Sequence, residues 1–137
     1  MHAKSTYTVK KWDEKPYEEI SPSMKMTKAS VEFEMGGDLT GKALVEYLMF
    51  YKHFDEKDPH KANAVYTGLI RFIGSVNGKA GSFAMQDNGS FEGGTAKSSL
   101  QIISRSGTEE LKNISGSGNY IANQDGFNIE LDYSLSS

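Results

Sequence analysis

Two residues of opposite charge, Glu46 and Arg71, interrupt stretches of the sequence that are otherwise apolar. Each charge alternates with large apolar residues, which are Leu44, Leu48 and Phe50 around Glu46, and Val65, Leu69 and Ile73 around Arg71. Residues two apart on a β-strand share a face, so we expect both charges to enter an apolar interior from neighbouring strands. A buried charge must be paired or neutralised, and an ion pair between Glu46 and Arg71 is the simplest solution.

This pair could act with two further polar residues, Gln86 from the next strand and Tyr120 near the C-terminus. One interpretation is a structural polar plug in a filled interior. The other is a ligand-binding cluster of Glu46, Arg71, Gln86 and Tyr120. As a catalytic alternative, Glu46 and Tyr120 are tentative acid and base groups, although a general base requires a raised pKa and a nearby arginine lowers it.

The motifs of the common catalytic classes are absent from the sequence. It contains no phosphate-binding or dinucleotide-binding glycine loop, no Gly-x-Ser-x-Gly and no His-Glu-x-x-His. His2, His53 and His60 are scattered, and segment 54–61 lacks the ligand spacing and central glycine of a calcium loop. We therefore predict no metal and no cofactor.

The composition predicts a single globular domain over residues 1–137. A net charge of −3 and a pI near 5.6 provide no basic surface for nucleic acid or an anionic membrane, so neither is an expected partner. The absence of cysteine excludes disulfides and is typical of a reducing compartment. Residues 1–9 are polar, unlike a secretory signal. We expect a cytoplasmic location.

The elements that must position these residues are predicted to be β-strands. Fourteen glycines and dipeptides such as Asn77-Gly78 and Asp125-Gly126 are typical of tight hairpin turns. Eight strand-like segments lie between the turns: 6–13, 29–35, 42–53, 64–75, 79–86, 95–104, 114–123 and 127–133. The fold class is therefore all-β, as a single closed antiparallel barrel of about eight strands, with a two-layer sandwich as the alternative.

Two segments are not predicted to be strands. Segment 14–27 is polar, contains Pro16 and Pro22, and is interpreted as a long connection across one barrel mouth. Segment 108–113 is interpreted as a loop with one helical turn.

The segment 42–53 carries large apolar residues on both faces. If Glu46 points inward, then Tyr47, Met49 and Tyr51 point outward. Either the 14–27 connection or another subunit must cover that face. Contiguous exposed apolar surface usually marks an interface, so we favour another subunit and expect a homo-oligomer.

Several motifs carry a family resemblance over nearly the whole chain. They are Lys11-Trp12-Asp13-Glu14-Lys15-Pro16-Tyr17, Val45-Glu46-Tyr47-Leu48-Met49, Gly81-Ser82-Phe83 followed by Gln86, Gly89, Phe91, Gly93 and Gly94, Ser106-Gly107-Thr108-Glu109-Glu110-Leu111, and Gly116, Gly118 and Tyr120. In these motifs the chain resembles the bacterial family catalogued as domain of unknown function 3224.

That resemblance implies a fold similar to the allene oxide cyclase and dirigent barrels. Those relatives bind apolar or phenolic intermediates inside a barrel and associate as oligomers. A shared fold does not transfer an activity. We therefore favour a barrel that binds a small, mostly apolar ligand, with a cyclase-like or isomerase-like enzyme as one alternative and a filled barrel with a structural or interaction role as the other.

Overall fold

The computed structural model describes residues 1–55, 57–58 and 61–135. Eight antiparallel strands form a closed barrel in which each strand pairs with the next and β8 pairs back with β1. The strands are β1 (His2–Ser21), β2 (Met24–Gly37), β3 (Leu39–His53), β4 (Asn63–Val76), β5 (Lys79–Glu92), β6 (Thr95–Ile102), β7 (Ser115–Asn123) and β8 (Gly126–Ser134). The predicted all-β barrel is confirmed.

β2 and β8 each have one apolar and one polar face, and the apolar face points into the barrel. Ala29 and Val31 of β2 are buried, as are Ile129 and Leu131 of β8. The helical turn expected in segment 108–113 is a 3₁₀ helix, Glu109–Leu111, which buries Leu111 against the barrel.

The prediction that segment 14–27 is a connection is wrong. β1 continues to Ser21, β2 begins at Met24, and the two strands pair from Ser5 with Gly37 to Ser21 with Met24. The ladder between β1 and β8 runs from His2 to Thr6, so the later part of β1 is an edge strand that extends past the barrel wall. Proline cannot donate a ladder hydrogen bond. An edge strand tolerates Pro16 because one of its two sides has no neighbouring strand to receive such a bond.

The predicted inward face of β3 is also wrong. Val45 and Tyr47 are buried, at 2% and 3% exposure, whereas Leu48 is 50% exposed. Alternation alone does not distinguish two apolar faces. The register distinguishes them, because Val45 lies opposite Val31 of β2, and residues directly opposite on antiparallel strands point to the same side.

The proposed interior ion pair fails for the same reason. Glu46 and Arg71 both lie on the outer face, and Glu46 accepts a hydrogen bond from Ser30 Oγ at 2.6 Å. On β4, Phe72 is buried and Leu69 is 56% exposed. The polar plug of Glu46 and Arg71 is therefore absent from the barrel interior.

The two ends of the barrel interior differ. One end is packed with apolar side chains, and its fully buried members include Leu39, Phe72, Phe83 and Leu131. The rings of Phe72 and Phe83 lie 5.3 Å apart there. The opposite end, where β3 and β5 finish, contains tyrosines and an open cavity.

Candidate functional site

The open end of the barrel encloses a cavity of about 470 Å³. Its wall is mostly aromatic and includes Tyr7, Phe33, Tyr47, Tyr66, Tyr120 and Phe127. The described lining residues include no charged side chain, and the two amides of the wall are Asn123, the last residue of β7, and Gln124 in the turn that follows it. This volume lies within the range of small-molecule sites.

Hydroxyl groups from four strands meet a buried carboxylate beside this cavity. The Tyr47 hydroxyl donates to Asp87 Oδ2 at 3.0 Å and lies 2.9 Å from the Tyr120 hydroxyl. Tyr120 donates to the Tyr66 hydroxyl at 3.0 Å, and Tyr66 is hydrogen-bonded to Ser98 Oγ at 2.6 Å. We call these five residues the tyrosine cluster.

Asp87 is the unusual member of the tyrosine cluster. It is fully buried, and its Oδ1 has no hydrogen-bond partner among the described residues. Loss of hydration raises the pKa of this carboxyl to about 6, even though the nearby hydroxyls of Ser98, Tyr47 and Tyr120 favour the ionised form. The carboxylate is therefore ionised at neutral pH at a cost in free energy.

The phenols of the tyrosine cluster stay protonated. Burial raises the pKa of Tyr47, of Tyr66 and of Tyr120 above the ordinary value for tyrosine, and the negative charge of Asp87 raises them further. Each of the three therefore has one hydrogen to donate at neutral pH.

Two glycines make room for the tyrosine cluster. Gly89 lies between Tyr66 and Ser98 in the sheet, and a Cβ there would lie 2.4 Å from Ser98 Oγ and 2.6 Å from the Tyr66 hydroxyl. Gly68 lies opposite Tyr47, and a Cβ there would lie 2.7 Å from the Tyr47 ring. Any larger residue at either position would displace a member of the tyrosine cluster.

Glu14 links the projecting β1–β2 hairpin to the cavity mouth. Its carboxylate accepts hydrogen bonds from Trp12 Nε1 at 3.0 Å, Thr27 Oγ1 at 2.7 Å and the Tyr51 hydroxyl at 2.6 Å. These bonds connect β1, β2 and β3, so Trp12 and Tyr51 are held at the wall of the cavity.

The sequence family described as "Protein of unknown function (DUF3224)" matches residues 3–133. The chain belongs to the DUF3224 family. A solved DUF3224 structure of unknown function from Shewanella oneidensis MR-1 is similar, with a TM-score of 0.74 and 15% identity, covering 100% of this chain and 98% of the other. At 15% identity, this similarity is evidence for a shared fold alone. No curated protein matches.

In this DUF3224 protein one of the four predicted ligand-binding residues reaches the cavity. Tyr120 is buried and lines it. Glu46 and Gln86 lie on the outer surface with Arg71, because all three have the strand parity that points away from the interior. Glu46 therefore does not face Tyr120 inside the barrel, and the tentative acid–base pair is not formed.

The predicted site residues do not include Tyr47, Tyr66, Asp87 and Ser98. Asp87 could have been found, because it continues the apolar parity of Phe83 and Met85 and is therefore a carboxylate at an inward-facing position of β5. Ser98 offers no comparable signal, since a small polar residue at an inward position is common.

The described residues contain no cluster of three or more histidine, cysteine, aspartate or glutamate side chains that could hold a metal ion. In segment 54–61, which was compared with a calcium loop, positions 56, 59 and 60, including His60, lie outside the described residues. Within the described part of the chain, the structure has no helix of the length and apolarity required to cross a bilayer.

Proposed function

We propose that this DUF3224 protein binds a small, mostly apolar and uncharged molecule in the cavity at the open end of its barrel. The observation that carries the proposal is the 470 Å³ volume with its aromatic, uncharged wall. Burial of apolar ligand surface against such a wall is favourable. A charged group buried there would lose its hydration without gaining a charged partner.

The volume indicates the size of the ligand. An apolar cavity of about 150 Å³ can hold one benzene molecule. This cavity is about three times larger, so it has room for a molecule with two or three rings or the equivalent hydrocarbon chain. The aromatic side chains favour a planar ligand, because offset and edge-to-face ring contacts add to the free energy of burial.

A fluorescent, uncharged naphthalene such as N-phenyl-1-naphthylamine tests this proposal. We expect a saturable rise in its fluorescence and a Kd in the micromolar range. Ala96 lines the cavity from β6, and Ala96→Trp should weaken binding at least about tenfold by filling the space.

Ser99 lies on the exposed side of the same strand, so Ser99→Trp is the matched control and should bind as the unmodified protein does. Absence of saturable binding, or equal binding by Ala96→Trp, would contradict the proposal. Native mass spectrometry of protein purified from its own host would identify a retained ligand.

We also propose that a second copy of the chain covers the outer face of β3 and β4. This face exposes Leu44, Leu48, Val65 and Leu69, which together form an apolar patch of the kind found at interfaces. It replaces the face of Tyr47 and Met49 on which the oligomer was first predicted, since those side chains are buried.

The charges around this patch favour a second copy as its occupant. Leu44 lies opposite Arg71, and Glu46 lies opposite Leu69, so the two charges occupy opposite corners of a square. A copy rotated by half a turn about the Leu44–Leu69 diagonal places each leucine against its own counterpart. The same rotation places Glu46 against Arg71 of the partner subunit, so the surface is complementary to itself.

Sedimentation velocity at micromolar concentration should show a dimer. Leu69→Lys should give a folded monomer, because it inserts two like charges at the centre of the interface. Ile121 is similarly exposed but lies on β7, so Ile121→Lys should leave the dimer intact. A monomeric unmodified protein, or a dimeric Leu69→Lys variant, would contradict this surface as the interface.

A further inference from the structure

We infer that the ligand of this cavity carries a hydrogen-bond donor, a hydroxyl or N–H group on its apolar body, and gives that hydrogen to a phenol oxygen of the tyrosine cluster. The inference rests on the proposed function, since it names the class of ligand that the same cavity takes.

The hydroxyl hydrogens of the tyrosine cluster are all used within it. Four close contacts join Asp87 to Tyr47, Tyr47 to Tyr120, Tyr120 to Tyr66, and Tyr66 to Ser98. Three phenols and one serine hydroxyl supply one hydrogen each, and an ionised carboxylate supplies none. Tyr47 gives its hydrogen to Asp87, Tyr120 to Tyr66 and Tyr66 to Ser98, and the Ser98 hydrogen is left for the Asp87 carboxylate, whose ionised form it favours. All four hydrogens are used within the cluster, so none is left for a ligand.

The acceptors of the tyrosine cluster are in excess. Oδ1 of Asp87 has no partner among the described residues, and each phenol oxygen that gives one hydrogen and accepts one retains a lone pair. Tyr47, Tyr66 and Tyr120 line the cavity, so a ligand in it lies against these three phenols. A ligand carbonyl would meet only acceptors there, and an unpaired buried acceptor is costly. A ligand hydroxyl or N–H would be satisfied.

The charge on Asp87 controls this preference. The titratable groups that act on it are phenols: Tyr47 from β3, Tyr66 from β4, Tyr120 from β7 and, further off, Tyr7 from β1. Burial keeps these four protonated while Asp87 titrates near pH 6. A proton on Asp87 adds a fifth hydrogen, which frees one hydroxyl to donate to a ligand acceptor.

Two probes with the same ring system separate these cases. 2-Naphthol carries a hydroxyl donor, and 2-methoxynaphthalene replaces it with a methyl ether that can only accept. The ether is the more apolar molecule, so hydrophobic transfer alone favours it. At pH 7.5 we expect the unmodified protein to bind 2-naphthol at least about tenfold more tightly, which corresponds to about 1.4 kcal/mol.

Asp87→Asn is the decisive variant, because its amide supplies the extra hydrogens without a change of size. We expect it to bind both probes with the preference for 2-naphthol reduced at least about fivefold. A measurement at pH 5 on the unmodified protein checks the same effect without a substitution, since neither probe titrates between the two pH values, and the preference should again fall.

The outcomes distinguish this inference from the proposed function. Equal binding of the two probes at pH 7.5, or tighter binding of the ether, overturns the donor preference and leaves the apolar cavity as a binding site. A preference for 2-naphthol that survives in Asp87→Asn and at pH 5 overturns the role of Asp87. Binding of neither probe overturns the inference together with the proposed function.

Discussion

Replacing Phe72 with alanine should lower the free energy of unfolding by about 3–5 kcal/mol. Phe72 is fully buried at the packed end of the barrel, where its ring contacts that of Phe83 at a centroid distance of 5.3 Å. Truncation removes the buried apolar surface and leaves a cavity, because close-packed neighbours relax only partly. Urea unfolding followed by circular dichroism measures the loss.

The control for Phe72→Ala is a large apolar side chain on the outside of the barrel. Ile121 of β7 is 43% exposed, and Ile121→Ala should change the free energy of unfolding by less than about 1 kcal/mol. Similar losses in the two variants would contradict the assignment of Phe72 to the interior. They would also support the opposite orientation of β4, in which Arg71 points inward.

The second large effect is on the pH dependence of stability, through Asp87. Burial raises its pKa in the folded protein to about 6, from an ordinary value of 3.8. The folded state therefore binds the Asp87 proton more tightly than the unfolded chain does. The resulting stabilisation is fully present below pH 3.8 and is lost as the pH rises through 6. The two pKa values correspond to about 3 kcal/mol.

Asp87→Asn isolates this effect, since an asparagine does not titrate and its oxygen can still accept from Tyr47. We expect the free energy of unfolding of the unmodified protein, minus that of the variant, to fall by about 2 kcal/mol from pH 4 to pH 7, because at pH 4 the stabilisation is not yet complete. Taking the difference cancels the titration of all other groups that the substitution leaves unchanged. A difference that stays constant over this range would show that Asp87 is not ionised against a burial penalty.

The order of elements and the fold class were available from the sequence. The β2 and β8 segments have one apolar and one charged face, so their period-two alternation specifies both the strand and its inward side. Glycine-containing turns such as Asn77-Gly78 separate the segments, and short connections make neighbours antiparallel. These are local properties, which is why they can be predicted without knowing the tertiary contacts.

The later part of β1 shows where local patterns fail. Residues 14–21 are exposed or half-buried on both faces, Tyr17 and Ile20 included, because this strand extends past the barrel and has no apolar interior beneath it. Without a buried face there is no alternation to detect, and Pro16 argues against a strand unless the strand is known to be an edge. Its pairing with β2 is visible only in the tertiary structure.

The sequence by itself determined eight strands, their antiparallel order, the family and the inward position of Tyr120. Only the tertiary structure decided the inward faces of β3 and β4, because both faces are apolar and the register with β2 selects one of them. It also decided the candidate site. Tyr47, Tyr66, Asp87, Ser98 and Tyr120 lie on five different strands, and closure of the barrel brings their polar atoms within hydrogen-bonding distance. The spacing of these residues along the chain does not indicate contacts that form only when the barrel closes. The site could therefore not be predicted from the sequence.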